Sequence, residues 1–192
     1  ITKAKDNAEK KGLSEVLDFY LGSMNEPLPF PNNSFDAVYI IQASPYAHDF
    51  SSLMLEIRRI LKPGGLFSDL AVVTLDKYNI YNKTHVRMAN EAKRVGVIPV
   101  WRSRQYYLDG CITNGFTVKF SKNLGHSEMM KVATEFFNPL GNFIKFLKYM
   151  GIVNKELVQS INRMNEHAMS LIQGDELGLF TTNYWIVCES PM

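Results

Sequence analysis

Apolar positions fall along the chain in two regimes, short unbroken runs and longer stretches spaced by three and four. Phe35–Ile41 (FDAVYII) is nearly all apolar, the pattern of a strand buried on both faces. After it, Phe50, Leu53, Met54, Ile57, Ile60 and Leu61 recur on one helical face. Asp49 or Ser51 can cap that helix, and Arg58 and Arg59 suit its negative end. Pro63-Gly64-Gly65 then turns the chain into a second strand, Leu66–Thr74 (LFSDLAVVT). Strand, polar junction, amphipathic helix and turn make a unit of an open α/β sheet, whose chemistry lies past the strand's C-terminal end. Upstream, Ile1–Lys11 reads as a helix and Glu15–Leu21 (EVLDFYL) as a strand broken at Gly22-Ser23. Pro27, Pro29 and Pro31 exclude regular structure in between. Downstream come an irregular helical insertion from Asp76 to Pro99, a helix Arg104–Asn114 that tolerates Gly110, and a strand Phe116–Ser121. Helices Lys131–Met150 and Lys155–Ile172 and a last strand Phe180–Cys188 complete the reading.

Composition bounds the class. The 192 residues are 46% hydrophobic and 21% charged, as in an ordinary globular protein with a sizeable core. A net charge of +2 and no Lys/Arg stripe interleaved with aromatics exclude a nucleic-acid footprint. Cys111 and Cys188 lie in apolar contexts and read as buried thiols of a reducing compartment. No apolar run approaches the ~20 residues of a transmembrane helix, no signal-peptide pattern is present, and no His, Cys, Asp or Glu group has metal-ligand spacing. The chain opens at Ile1 inside a charged helical pattern, so a fragment is expected.

Phe35-Asp36-Ala37-Val38 after a proline-containing loop, followed by Leu61-Lys62-Pro63-Gly64-Gly65, resembles class I S-adenosylmethionine-dependent methyltransferases. Further segments resemble the sterol C-methyltransferase (sterol 24-C-methyltransferase-like) branch. Ile41-Gln42-Ala43-Ser44-Pro45-Tyr46-Ala47-His48-Asp49 is similar to that branch's IEATCHAPD stretch. Thr74-Leu75-Asp76-Lys77-Tyr78-Asn79 matches its T-D-K-Y-D motif, and Gly96-Val97-Ile98-Pro99 its G-x-G-I-P motif. Asn114-Gly115-Phe116 stands for its A-G-F, and residues from Ile161 to Trp185 resemble its C-terminal end.

The resemblance implies an α/β fold: a Rossmann-like class I methyltransferase sheet lacking its first two strands, with a C-terminal sterol-methyltransferase helical region. Residues 1–123 would be the C-terminal part of the core, with an insertion at about 76–100. Residues 124–192 would be the C-terminal region, whose strand 180–188 returns to the sheet. In the family's strand order the two missing strands lie between Glu15–Leu21 and Phe35–Ile41, and no Gly-rich loop opens the chain.

The resemblance also implies candidate residues. Gly22, Ser23 and Met24 match cofactor-binding positions, with Ser23 where the family has Asp or Asn, and Gln42 and Ala43 end the central strand where the sulfonium end of S-adenosylmethionine lies. Gln42 stands for the family's Glu, Tyr46 for its His and Pro45 for its Cys. Gln42, Tyr46 and Asp76 are the candidate catalytic residues; Tyr46, Tyr78 and His85 are the candidate substrate-pocket residues. Each has a plain structural alternative: a strand-end turn, a polar loop, a turn carboxylate beside a half-buried aromatic, a surface histidine. His48 reads as exposed or capping, and His126 and His167 have no evident partner. Phe136, Phe137, Leu140, Phe143, Ile144, Phe146, Leu147 and Met150, with Lys145 and Lys148 among them, read as core plus sterol-pocket wall rather than an interfacial helix.

The implied activity is methyl transfer to a carbon of a sterol, at C-24 or at a ring carbon such as C-4. Its rivals are methylation of another small lipid or phospho-base, and a non-catalytic sterol-binding pseudoenzyme. The expected setting is the cytoplasm, peripheral to the endoplasmic reticulum membrane, with membrane contact and a homo-oligomer left open.

Overall fold

Leu61–Thr74 (β2) is the centre of a five-stranded mixed sheet. The structure is a computed structural model and describes residues 1–96, 98–125, 142–143, 146–147, 149–151 and 154–192. Phe35–Ile41 (β1) lies parallel on one side of β2, and Phe180–Glu189 (β5) lies antiparallel on the other. Thr117–Asn123 (β4) pairs antiparallel with β5, giving the order β1-β2-β5-β4. The two-residue Arg102–Ser103 (β3) pairs parallel with the end of β2.

β2 begins earlier than the sequence pattern suggests, because the Lys62–Gly65 turn is folded into the strand. Phe35 pairs with Leu61 but Ala37 pairs with Leu66, so the turn bulges out between two registered positions. Gly64, at φ 73°, supplies the left-handed residue that the bulge requires.

The helix Phe50–Ile60 (α2) forms where its apolar spacing places it. Asp49 caps it, accepting from the Ser51 and Ser52 amides at 3.1 Å each. Its Phe50, Leu53, Met54 and Ile57 pack with Phe67, Ala71 and Val73 of β2 and with Ile186 and Cys188 of β5. Arg59, from the last turn, fastens the proline-rich loop: it bonds Glu56, the Phe30 and Leu28 carbonyls (2.7 and 3.0 Å) and Asn32 Oδ1 (2.9 Å). Thus the loop that proline keeps irregular is held by one guanidinium fork.

The helix Arg104–Thr113 (α4) tolerates Gly110 for a packing reason. A Cβ there would stand 2.6 Å from the Phe50 ring, so the missing side chain is what lets α2 and α4 approach. A second, smaller core joins Met88, Ala89 and Ala92 of Lys83–Gly96 (α3) to Leu171 of Lys155–Glu176 (α5), with Leu179 and Phe180. Trp101 ties into it by donating to the Ala89 carbonyl at 2.8 Å and stacking on Phe180 at 4.8 Å. The N-terminal helix, Thr2–Lys10 (α1), falls within the expected one.

Three expectations are corrected. Glu15–Leu21 is not a strand; it runs as turn and irregular chain, with Val16 73% and Leu21 90% exposed. A strand exists only with a ladder partner, and this segment has none in the sheet. Its Tyr20 instead packs edge-on against Phe30. Nor is β1 buried on both faces: it is an edge strand, and on one of its faces Tyr39 (74%) and Ile41 (62%) are exposed. The expected helix Lys131–Met150 lies largely outside the described residues, as do Phe136, Phe137, Leu140, Ile144, Lys145, Lys148 and His126. Phe143, Phe146 and Met150, which are described, are each more than half exposed rather than in the core.

Gly110→Ala gains ~1 kcal/mol of helix propensity but drives a methyl into a fully buried ring. The clash dominates, and denaturant unfolding of the variant is expected to show a net loss of about 1–3 kcal/mol.

Candidate functional site

The C-terminal end of β1 is closed by a residue in an unusual conformation. Gln42 has φ 53°, a left-handed backbone that glutamine rarely adopts. Its amide N–H still donates to the Leu70 carbonyl at 2.9 Å, which holds it against β2. Its side-chain Nε2 lies 3.1 Å from both the Thr182 carbonyl oxygen and Asn183 Oδ1, at the start of β5. Asn183 in turn donates from Nδ2 to the Gly125 carbonyl at 3.3 Å. A row of amides therefore crosses the rim from β1 over β5 to the chain leaving β4.

The orientation of both amides is fixed by chemistry. A backbone carbonyl only accepts, so the Gln42 atom facing Thr182 is the NH2, and the Asn183 atom facing Gly125 is its NH2. The Gln42 carbonyl oxygen is then the polar atom left over, on a residue exposed at the strand end.

The loop carrying Gly22, Ser23 and Met24 is brought to the loop carrying Tyr46 by Asn25. Its Nδ2 donates to the Tyr46 carbonyl at 3.2 Å, and its Oδ1 accepts the His48 amide at 2.7 Å. Ser23 Oγ accepts the Asn25 amide at 3.1 Å and keeps its own hydroxyl hydrogen. Gly22 has open space where a side chain would be, and Met24 packs partly on the main core. Tyr46 is 45% exposed at the end of a short 3-10 turn, Ser44–Tyr46, that begins just after Ala43. Beneath Asn25 runs a groove of ≈ 310 Å³ bounded by Met24, Pro27, His48 and Asp49. Asn25 was not singled out in the sequence; an asparagine in a Gly-Ser-Met-Asn turn was its only signal.

Asp76, Tyr78 and His85 form a second group, past the end of β2. Both Asp76 oxygens are gripped by Arg104, at 2.9 Å from Nε and 2.7 Å from Nη2, and Arg104 also reaches the Tyr184 hydroxyl at 3.5 Å. Asp76 is thus a carboxylate held in one orientation by a planar fork. His85 Nδ1 accepts the Asn79 amide at 3.1 Å, which orders the turn, and its ring lies 6.3 Å from that of Tyr78. Burial pushes the Tyr78 hydroxyl pKa up. Beside them a groove of ≈ 510 Å³ is lined by Ile80, Tyr81, Lys83, Arg87, Glu91 and Arg94.

A buried polar cluster lies under the first group. Asp69 in β2, Ser44 and Tyr107 are all fully buried, and none of their side-chain oxygens has a hydrogen-bond partner of good geometry. Burial pushes Asp69 up to about 7; the nearby Ser44 hydroxyl only partly opposes this. Tyr107 is raised as well, first by burial and then by the Asp69 charge. Cys111 and Cys188, both free and buried, adjoin it; the hydrogen bond with Cys188, and then burial, push the Cys111 thiol up. The acid inside the apolar run LFSDLAVVT was the visible signal for this cluster. Among the described residues no group of three or more His, Cys, Asp or Glu is placed to hold a metal ion.

Comparison with known proteins gives a consistent set. Residues 1–68 match the family model of the methyltransferase domain, and residues 129–192 that of the sterol methyltransferase C-terminal region. The chain is similar to cycloartenol-C-24-methyltransferase 1 of Oryza sativa, 27% identical over all of the chain and 60% of that protein. It is 42% identical over 46% of its length to the sterol 24-C-methyltransferase erg6 of Aspergillus fumigatus, 23% of which is covered. In fold it is similar to geranyl diphosphate C-methyltransferase from Streptomyces coelicolor, with a TM-score of 0.64 at 15% identity, over 98% of this chain and 58% of that one. The chain spans about 60% of the length of the curated relatives that it matches along its whole length.

Asp69 sets a pH dependence of stability. In the folded chain it keeps its proton up to about pH 7, whereas an unfolded aspartate releases it near 4. The folded state thus binds the extra proton between those values, so stability should fall as pH rises from about 4 to about 7, by a few kcal/mol in all, then level off. Asp69→Asn, which cannot ionise, is expected to flatten that slope in denaturant titrations run at a series of pH values; an unchanged slope would place the proton elsewhere.

Proposed function

We propose, from the premise that the chain belongs to the sterol methyltransferase family, that the whole protein moves a methyl group from S-adenosylmethionine to a carbon of a sterol. Either C-24 or a ring carbon such as C-4 is the acceptor. The observation that carries this reading is the joint presence, in one chain, of the sterol methyltransferase C-terminal match and an oriented acceptor, the Gln42 carbonyl, at the C-terminal end of β1.

The residues present suit the donor chemically. Gln42 and Ala43 would hold its sulfonium end, while Gly22 leaves its backbone open to close approach and Ser23 retains a hydroxyl donor beside Met24. The donor, when bound, supplies an electrophilic methyl on a positively charged sulfur. The Gln42 carbonyl dipole would oppose that charge from a fixed position, with no reorganisation during the reaction. Tyr46 would offer its ring face to positive charge near the acceptor carbon. A sterol alkene carbon that takes the methyl must then lose a proton to regain neutrality. Asp76, clamped by Arg104, would accept that proton or a substrate hydroxyl, with Tyr78 and His85 lining the approach. Domain division follows the same reading, with residues 1–123 supplying the core and 124–192 the sterol-specific part.

A sterol has to be taken from a bilayer. Among the described residues no helix is long and apolar enough to cross a membrane. Exposed Ile80 and Tyr81 beside Lys83, Arg87 and Arg94 suit peripheral contact with such a surface, at the endoplasmic reticulum.

The test is to give the whole protein a methyl-labelled donor with a panel of sterols and to locate the label in the product by mass spectrometry and NMR. Label on one sterol carbon is expected. Label on a phospho-base and on no sterol would replace this reading with the general small-molecule one.

A further inference from the structure

The rim of the sheet discriminates between an amide and a carboxylate at an exposed position, Gln42. Gln42 Nε2 faces two groups, the Thr182 carbonyl oxygen and Asn183 Oδ1, both at 3.1 Å. The first can only accept. The second is held as an acceptor because Asn183 spends its own NH2 on the Gly125 carbonyl at 3.3 Å. Both hydrogens of the Gln42 amide are therefore claimed by acceptors on β5. A glutamate at this position would bring a negative oxygen against the same two acceptors, an arrangement with like partial charges on both sides. The backbone adds an independent sign of constraint: φ of 53° is costly for a side-chain-bearing residue and persists here against the Leu70 bond and the two side-chain bonds.

We propose that Asn183 is a positioning residue for Gln42: with the Thr182 carbonyl it forms a socket that accepts only an amide and leaves the Gln42 carbonyl oxygen as the acceptor offered to a cationic ligand. The site then meets positive charge with an oriented dipole instead of a formal negative charge. It follows that the socket reads the charge on the ligand's sulfur: it favours the sulfonium of S-adenosylmethionine over the neutral thioether of S-adenosylhomocysteine. This rests on the donor assignment above but not on the sterol.

The experiment measures, by calorimetry on the whole protein, the affinities for S-adenosylmethionine and S-adenosylhomocysteine and takes their ratio. N183L removes the acceptor, and N183V does the same with a side chain suited to a strand should the leucine variant not fold. Either is expected to lower the ratio by about fivefold, the worth of one oriented hydrogen-bonding group, with little change in affinity for the neutral ligand. Q42L is expected to lower it similarly, and the Q42L/N183L double variant to lower it no further, since Asn183 acts only through Gln42. An unchanged ratio in the Asn183 variants, an additive double variant, or no binding of either ligand to the unaltered protein would overturn the proposal. A ratio that responds as expected in a protein that labels no sterol would instead sink the substrate assignment and leave the socket standing.

Discussion

Everything else in the molecule hangs on the double pairing of β2. Its backbone groups are satisfied on one side by a parallel neighbour and on the other by an antiparallel one, so that β2, like β5, has no free edge, and it alone of the two carries both kinds of pairing among the described strands. The core side chains Phe67, Ala71 and Val73 are carried on it, and so is Asp69. Both candidate groups are placed by its C-terminal half. Leu70 anchors Gln42 through the ladder, and Asp76 follows two residues after the strand's last member. Because β5 runs the opposite way, its first residues arrive at that same rim, and this brings Thr182 and Asn183 to Gln42.

Features with local causes were legible in the sequence. The three-and-four spacing from Phe50 to Ile60 and the Asp49 cap both depend on residues a turn apart, and both are present as read. The last strand and the helix around Gly110 were likewise visible, although the reason for the glycine, the Phe50 ring, lies on another helix. What was not legible depends on partners far along the chain. Glu15–Leu21 has strand composition and no ladder. Asp76 reads in the sequence as a catalytic candidate or a turn carboxylate, while Arg104, which holds both its oxygens, stands 28 positions away. Gln42 reads as a neutral substitute for an acid, while the partners that give the amide a direction stand 140 and 141 positions on.

The two kinds of polar group near the site are held in opposite ways. At the rim, Gln42, Asn183 and Asn25 have their side chains engaged by backbone groups, so their geometry is set by the scaffold. Below them Asp69, Ser44 and Tyr107 lack good partners, and burial keeps the carboxyl neutral over most of the acid range. A neutral Asp69 is consistent with the apolar neighbours around it. It also keeps a negative charge away from the underside of the loop that carries Ala43 and Tyr46.

The antiparallel partner of β2 stands far along the chain from it, and this has a consequence for how the protein is made. Trp185 hydrogen-bonds Ser68 across 117 positions of sequence. At roughly 5–20 residues per second of synthesis, one flank of the central strand waits on the order of ten seconds for its neighbour. β4, finished earlier, has no sheet to join until β5 lies between it and β2. During that interval β1, α2, β3 and α4 can already pack on β2, while the flank that β5 will cover stays unpaired.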